Sequence, residues 1–203
     1  MKTAIKQILN GILAGILISI GGTVFLSCEN KVVGSVLFSV ALLCICLLGY
    51  SLFTGKICYI PEKHDKSAFS VLLCGLLGNL IATTICGYAI SYAIPAVGDT
   101  AFTVCNGKLT GQDFLQTLIR AIFCGILIYL AVEIYKTKDK TIGIIFCIPV
   151  FILSGYEHSI ADMFYFACSG IVSVEALGFI WTVILGNTIG GMLIPVIKKL
   201  MKD

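Results

Sequence analysis

The chain has 203 residues, of which 58% are hydrophobic and 12% are charged, and its mean hydropathy is +1.02. Soluble domains contain about a quarter charged residues, so this composition excludes a soluble globular protein and indicates an integral membrane protein. The net charge is only +3, and we expect no nucleic-acid partner. A span needs roughly 20 apolar residues, so the length allows about six spans and no additional soluble domain.

Six apolar segments follow one another along the chain. The first is interpreted as a span rather than as a signal peptide, because it exceeds the length of a signal-peptide core. Composition and order together predict an all-α integral membrane fold with six transmembrane helices. We expect a polar connection over 94–112, and we expect His64 to be a surface loop residue. The expected spans are residues 8–26, 32–60, 68–93, 114–135, 141–168 and 172–197.

The second and fifth segments are longer than a single span requires, and polar residues interrupt both. The second contains Gly49 to Lys56, and the fifth contains Leu153 to Asp162 with two acidic residues and His158. Irregular backbone inside a membrane is tolerated only where it lines a cavity or is buried in protein. We therefore predict that helices two and five are broken. Ionisable residues at this depth usually mark a functional site.

The two halves of the chain repeat the same order of features within one transmembrane channel domain, 1–203. Each half has a broken second span, and each third span carries a Gly-Asn pair, at Asn79 and at Asn187. Three spans are an odd number, so the predicted repeats, about 1–94 and 112–203, are inverted. Paired broken helices point to a site near the bilayer midplane.

Basic residues give the expected orientation. If both termini are cytoplasmic, 11 of the 14 Lys and Arg residues lie on the inner side, and the other three are Lys31, Lys108 and Arg120. This distribution follows the positive-inside rule. We expect a multi-pass protein of the cell inner (plasma) membrane with both termini in the cytoplasm.

Several stretches resemble the formate/nitrite transporter family, and together they cover essentially the whole chain. The Gly-Tyr-Glu-His-Ser segment is the most specific of them. They are Leu52-Phe53-Thr54-Gly55, the segment 155–164, the pairs Gly78-Asn79 and Gly186-Asn187, and Arg120 followed by Cys124 and Leu130-Ala131-Val132.

This resemblance implies an aquaporin-like homopentamer in the lipid bilayer, with one pore per protomer for small monovalent anions such as formate, nitrite or hydrosulfide. It implies a central pore histidine, His158, with Thr54 as its hydrogen-bonding partner. The implied apolar constrictions are Leu52, Phe53 and Phe151, and their pattern favours formate. Lys108 resembles the family's lysine at the outer mouth, and Lys56 is expected to attract the anion on the inner side.

Two positions depart from the family's pattern. Gly125 stands where an asparagine is usual, which leads us to expect the loss of an amide from the pore wall. Asp162 replaces another asparagine and adds a possible charge. We expect Asn79, Asn187 and Glu157 to support the broken helices, the Glu157 carboxylate by accepting backbone N–H groups freed by the break. A direct role for Glu157 in the pore stays open.

The chemistry of the cluster suggests proton-linked permeation. A bare anion is costly in an apolar constriction, whereas its neutral conjugate acid is not. Imidazole titrates near neutrality, so His158 is expected to donate or relay the proton. The alternative is that a neutral His158 only hydrogen-bonds the anion while water supplies the proton.

Two other classes of protein are alternatives to a transporter. One is an intramembrane enzyme with a metal site at His158, Glu157 and Asp162, and the other is a scaffold without a pore. We expect neither, and we expect no cofactor and no metal, since no second histidine lies in the membrane. The ten cysteines contain no CxxC pair and are expected to be packed free thiols, with a metal or redox site as the alternative.

Overall fold

A computed structural model describes residues 2–62, 65–138 and 140–202, so His64 lies outside the described residues. This part of the chain is helical, apart from turns and short connections, and contains no strand. The helices are α1 (Lys2–Ser27), α2 (Lys31–Leu48), α3 (Phe53–Lys56), α4 (Lys66–Ala93), α5 (Pro95–Gly111), α6 (Phe114–Lys138), α7 (Ile142–Leu153), α8 (Ser159–Ser169) and α9 (Val174–Leu200), with a 3₁₀ turn at Ile57–Tyr59.

The predicted spans correspond to these helices. Helices α1, α2, α4, α6 and α9 are long and apolar enough to cross a membrane, and α7 is a shorter apolar helix. The chain is broken between α2 and α3 and again between α7 and α8, so the second and fifth spans each consist of two helical pieces. The predictions of an all-α membrane fold and of two broken spans are confirmed.

The stretch 94–112 connects two spans, as expected, and most of it forms the helix α5, which its sequence did not indicate. Its proline is at the helix start, where a fixed φ angle is compatible with helix. Val97, Ala101 and Cys105 follow one another at intervals of four residues and are buried together, and α5 packs against α8. The stretch is helical because this tertiary burial outweighs the low helix propensity of the local glycines.

Polar side chains determine where several helices begin. The Asn30 side chain accepts hydrogen bonds from the N–H groups of Val32 (3.0 Å) and Val33 (3.2 Å) at the start of α2. Asp65 caps α4 through the N–H of Ala68 at 2.7 Å. Such caps satisfy N–H groups that have no partner within the helix, so they fix the ends of the spans.

Close helix pairs are built in the same way in both halves. Helix α1 packs along α4, and α6 packs along α9. A Cβ atom at Gly78 would overlap the carbonyl oxygen of Ile8, and one at Gly186 would overlap the side chain of Ala121. Glycine is therefore required where these backbones meet, as is common between membrane helices.

Gly125 belongs to this packing as well, which corrects the expectation about the pore wall. A Cβ atom at Gly125 would lie 2.8 Å from the backbone nitrogen of Gly191 in α9. The residue faces the neighbouring helix and leaves no room for an asparagine side chain. Its position removes no amide from a pore wall.

Candidate functional site

The two breaks have the same backbone design. Helix α2 is followed by Gly49, which has a left-handed φ of 73°, and α7 is followed by Gly155 with a φ of 69°. Side chains other than glycine rarely adopt this conformation. In each case a few extended residues follow before the next helical piece begins.

Two buried asparagines hold the broken segments. Asn79 accepts a hydrogen bond from the N–H of Phe53 (2.9 Å) and donates to the carbonyl oxygens of Ser51 (3.0 Å) and Gly11 (2.8 Å). Both Asn79 and its counterpart Asn187 are fully buried. Backbone groups that the break leaves without a helical partner are therefore satisfied by a side-chain amide.

Asn187 makes the corresponding bonds in the other half. It accepts from the N–H of Ser159 (2.9 Å) and donates to the carbonyl oxygens of Glu157 (2.8 Å) and Ala121 (2.8 Å). The two asparagines thus bind equivalent groups on equivalent helices. The breaks of the two halves therefore lie at equivalent positions of the repeat.

The bonds of the two asparagines define the register of the two repeats. The paired bonds make Phe53 equivalent to Ser159 and Ser51 equivalent to Glu157. His158 is therefore the counterpart of Leu52, and both are the N-cap residues of the helical pieces that follow. Thr54, 104 residues before His158, is in contact with it across the two breaks.

His158 is held at both ring nitrogens. Nε2 lies 2.9 Å from Oγ1 of Thr54, and Nδ1 accepts the N–H of Ala161 at 3.1 Å. A nitrogen that accepts a bond carries no proton, so Nε2 carries the one hydrogen of a neutral ring and donates it to Thr54. The positive end of the α8 dipole also disfavours a second proton on this ring.

Two cavities lie on opposite sides of the His158–Thr54 pair. The Lys108 cavity, about 300 Å³, is lined among others by Lys108, Arg120 and His158. The smaller Lys56 cavity, about 60 Å³, is lined by residues that include Lys56 and Val132. Arg120 and Val132 belong to the same helix, and at a rise of about 1.5 Å per residue they are about 18 Å apart along its axis.

The predicted constriction residues differ in where they lie. Phe151 lines the Lys108 cavity and stacks on the ring of His158, with 5.7 Å between the ring centroids. Leu52 lines the Lys56 cavity. Phe53 is buried and lines neither of these two cavities. Phe38, which carries no local sequence signal for a pore role, meets Phe151 edge-on with 6.4 Å between ring centroids.

Lys108 is part of an ion cluster rather than an unpaired cation. Its Nζ donates to Glu157 Oε2 and, at 2.9 Å, to Asp162 Oδ1. The Lys108 side chain is 15% exposed, whereas the two carboxylates are 3% and 1% exposed. The second Glu157 oxygen accepts from Gln112 at 2.7 Å. We call Lys108, Glu157 and Asp162 the carboxylate cluster.

This cluster corrects the expectation for Glu157. Its carboxylate binds two side chains and no backbone N–H group freed by the break, because Asn187 already occupies that position. Glu157 contributes its backbone carbonyl to the broken segment. The role of Gln112 was missed because nothing in the local sequence after α5 connects it with a residue 45 positions later.

No metal centre is formed within the described ranges, where no group of three or more His, Cys, Asp or Glu side chains is arranged to hold an ion. All ten cysteines are free thiols, and Cys58, Cys105, Cys124 and Cys168 are buried. They pack between helices, as small polarizable side chains commonly do.

The architecture and the paired broken helices define an integral membrane protein with the aquaporin-like fold. The family model for formate/nitrite transporters matches residues 1–200, and the chain belongs to this family. Its members are transporters and channels rather than enzymes.

Individual relatives agree with this assignment. Formate-nitrite transporter 2 of Toxoplasma gondii is 32% identical over 187 residues, which cover 81% of this chain and 40% of that protein. Nitrite transporter NirC of Escherichia coli is 28% identical over 175 residues, 76% of this chain and 65% of NirC. The chain thus spans about two fifths of the Toxoplasma relative.

Among solved structures, a pentameric formate channel with formate bound superposes with a TM-score of 0.83 at 24% sequence identity. The match covers 98% of this chain and 97% of that channel. An ion channel of the same family superposes with a TM-score of 0.78. These likenesses establish the fold.

Proposed function

We propose that this protein is a channel for small monovalent weak-acid anions whose permeation is linked to protons. The observation that carries the proposal is the buried His158–Thr54 pair between two cavities, each of which is lined by a lysine. Ionisable groups within a span are costly, so a polar pair at this depth indicates a functional site.

The anion crosses the narrow part as its neutral acid. Leu52 and Phe151 flank the His158–Thr54 pair and offer no charge to replace the water around an anion. Removing an ionised carboxylate from water without a partner is far more costly than removing a neutral group. Protonation before the constriction lowers this barrier, and the acid releases its proton again on the far side.

His158 acts as a fixed neutral donor and not as the titrating relay. A relay requires a proton on Nδ1, and that nitrogen accepts the Ala161 N–H. Breaking this bond would remove the N-cap of α8. Thr54 accepts the Nε2 hydrogen and retains its own O–H for the passing molecule, since a hydroxyl is both donor and acceptor.

Formate is the first substrate we propose, with nitrite and hydrosulfide as the other members of the same chemical class. The pentameric channel that this chain resembles holds formate, and NirC is named a nitrite transporter. We also propose a homopentamer. Exposed apolar side chains such as Ile85, Phe146 and Trp181 suit contacts with lipid and with other protomers.

The proposed location is the cell inner membrane, with both termini in the cytoplasm. Lys56, Lys136, Lys198 and Lys199 all stand at the end of the molecule that holds the Lys56 cavity. A cluster of this kind is expected on the cytoplasmic side.

Proteoliposomes with formate, nitrite or hydrosulfide outside test the proposal. Uptake should rise as the outer pH falls below the inner pH.

Thr54→Val should lower uptake about tenfold, equivalent to about 1.4 kcal/mol and the loss of one hydrogen bond, while Thr54→Ser should retain the wild-type uptake. His158→Asn keeps a donor but cannot titrate, so substantial residual flux supports the fixed donor and complete loss supports a relay. Wild-type protein without any flux above empty liposomes would contradict the channel proposal.

A further inference from the structure

The carboxylate cluster contains an imbalance of charge. One ammonium group, on Lys108, serves two carboxylates, and all three side chains are at most 15% exposed. Like charges that share one site do not ionise together readily, because each raises the free energy of the other's charged form. Binding one proton would make the cluster neutral.

The hydrogen bonds indicate which carboxylate receives that proton. Both oxygens of Glu157 accept a bond, one from Lys108 and the other from Gln112, and these bonds stabilise its charged form. Asp162 accepts from Lys108 only through Oδ1. Its Oδ2 is buried without a partner among the described residues. A buried carboxylate oxygen that accepts no hydrogen bond favours the protonated form of Asp162 over its charged form.

The surroundings of Asp162 are consistent with a proton site. Asp162 lines the Lys108 cavity together with His158. Charged side chains on α1, α4 and α9 stand near the ends of those helices, in their first or last two turns. The titratable or charged groups near it are Cys105 and Lys108 from α5, Arg120 and Cys124 from α6, Glu157 and His158 from the break, and Tyr165 from α8.

We propose that Asp162 is a second functional residue of this chain, which holds an exchangeable proton in the Lys108 cavity and transfers it to the entering anion. In this step the O–H bond at Asp162 Oδ2 breaks and its electron pair stays on that oxygen. A new O–H bond forms on the substrate, which leaves as the neutral acid toward His158. A hydronium ion from the solution on the Lys108 side restores the acid form and is converted to water.

This inference rests on the proposed function for its transfer step, but the proton site itself is tested without transport. Infrared spectra of the purified protein at neutral pH, where exposed carboxylates are ionised, should contain a carboxylic-acid C=O band that shifts in D₂O. The band should be absent in Asp162→Asn and unchanged in Asp99→Asn, a matched change on the exposed part of α5. A band that persists in Asp162→Asn and disappears in Glu157→Gln would overturn the assignment.

Isotope labelling keeps the test valid if Asp162→Asn does not fold. The band in the wild-type protein should shift after labelling with ¹³C-aspartate and not after labelling with ¹³C-glutamate. A shift with glutamate alone, or no carboxylic-acid band at neutral pH, would overturn the proposal.

Transport then tests the transfer. Asp162→Asn should lower formate uptake about tenfold at neutral outer pH, and the deficit should disappear at an acidic outer pH, where neutral acid is already abundant. Asp99→Asn should match the wild type at both. Equal uptake by Asp162→Asn and wild type at neutral pH would overturn the transfer step even if the band is present. A wild-type protein that shows the band but transports nothing would contradict the channel proposal and leave the proton site established.

Discussion

Asn187 gives the sharpest test of how the broken fifth helix is held. Its amide binds the N–H of Ser159 and the carbonyl oxygens of Glu157 and Ala121, all at 2.8 to 2.9 Å and all buried. Asn187→Leu keeps a similar volume and removes all three bonds. The Ala121 carbonyl lies within a helix, so the Ser159 N–H and the Glu157 carbonyl are the two groups left without a partner.

The magnitude follows from those two groups. A buried backbone group without a partner costs about 1–3 kcal/mol, so for two groups we expect Asn187→Leu to lower the free energy of unfolding by about 2–6 kcal/mol. Equilibrium unfolding in mixed micelles, followed by circular dichroism, measures this quantity. Asn106→Leu on the exposed side of α5 is the matched control, and it should change stability by less than about 0.5 kcal/mol.

The same expectation applies to Asn79 in the first half of the chain. Asn79→Leu should have a cost similar to that of Asn187→Leu, because the bonds are equivalent. A loss below about 1 kcal/mol for Asn187→Leu would refute the view that side-chain amides hold the breaks, since it would mean that the backbone groups find other partners at little cost.

Three further predictions concern packing, the constriction and charge. Gly125→Ala should destabilise the protein by about 1–3 kcal/mol because the new methyl group meets the α9 backbone, whereas Gly178→Ala, with open space around it, should not. Phe151→Ala should raise the uptake of larger carboxylates such as acetate relative to formate in liposome flux assays, because it removes the ring stacked on His158; an unchanged ratio would argue against a constriction there. Lys108→Leu should lower the free energy of unfolding by about 3–5 kcal/mol at neutral pH by leaving the buried Glu157 carboxylate and its neighbour Asp162 without their cation, and the deficit should shrink at acidic pH, where Glu157 is protonated as well. The exposed Lys140→Leu is its control, and a similar loss there would contradict this reasoning.

The sequence by itself determined the class of protein and the places where its helices break. Long apolar segments, interrupted by Gly and polar residues at two matched positions, leave few arrangements that satisfy the backbone within a membrane. The Gly-Asn pairs were recognisable for the same reason, because they recur in the third span of each half. These signals are local, so they can be recognised from composition and from spacing along the chain.

Only the tertiary structure decided how these parts meet. The contacts of Lys108 with Glu157 and Asp162 bridge 49 and 54 residues. Such pairings depend on how the two halves pack against each other, which no local pattern encodes. The helical state of α5 has the same origin, since its glycines suggest a loop and its burial against α8 makes it a helix. Hydrogen-bond partners, and with them the hydrogen on Nε2 of His158, are properties of the packed fold.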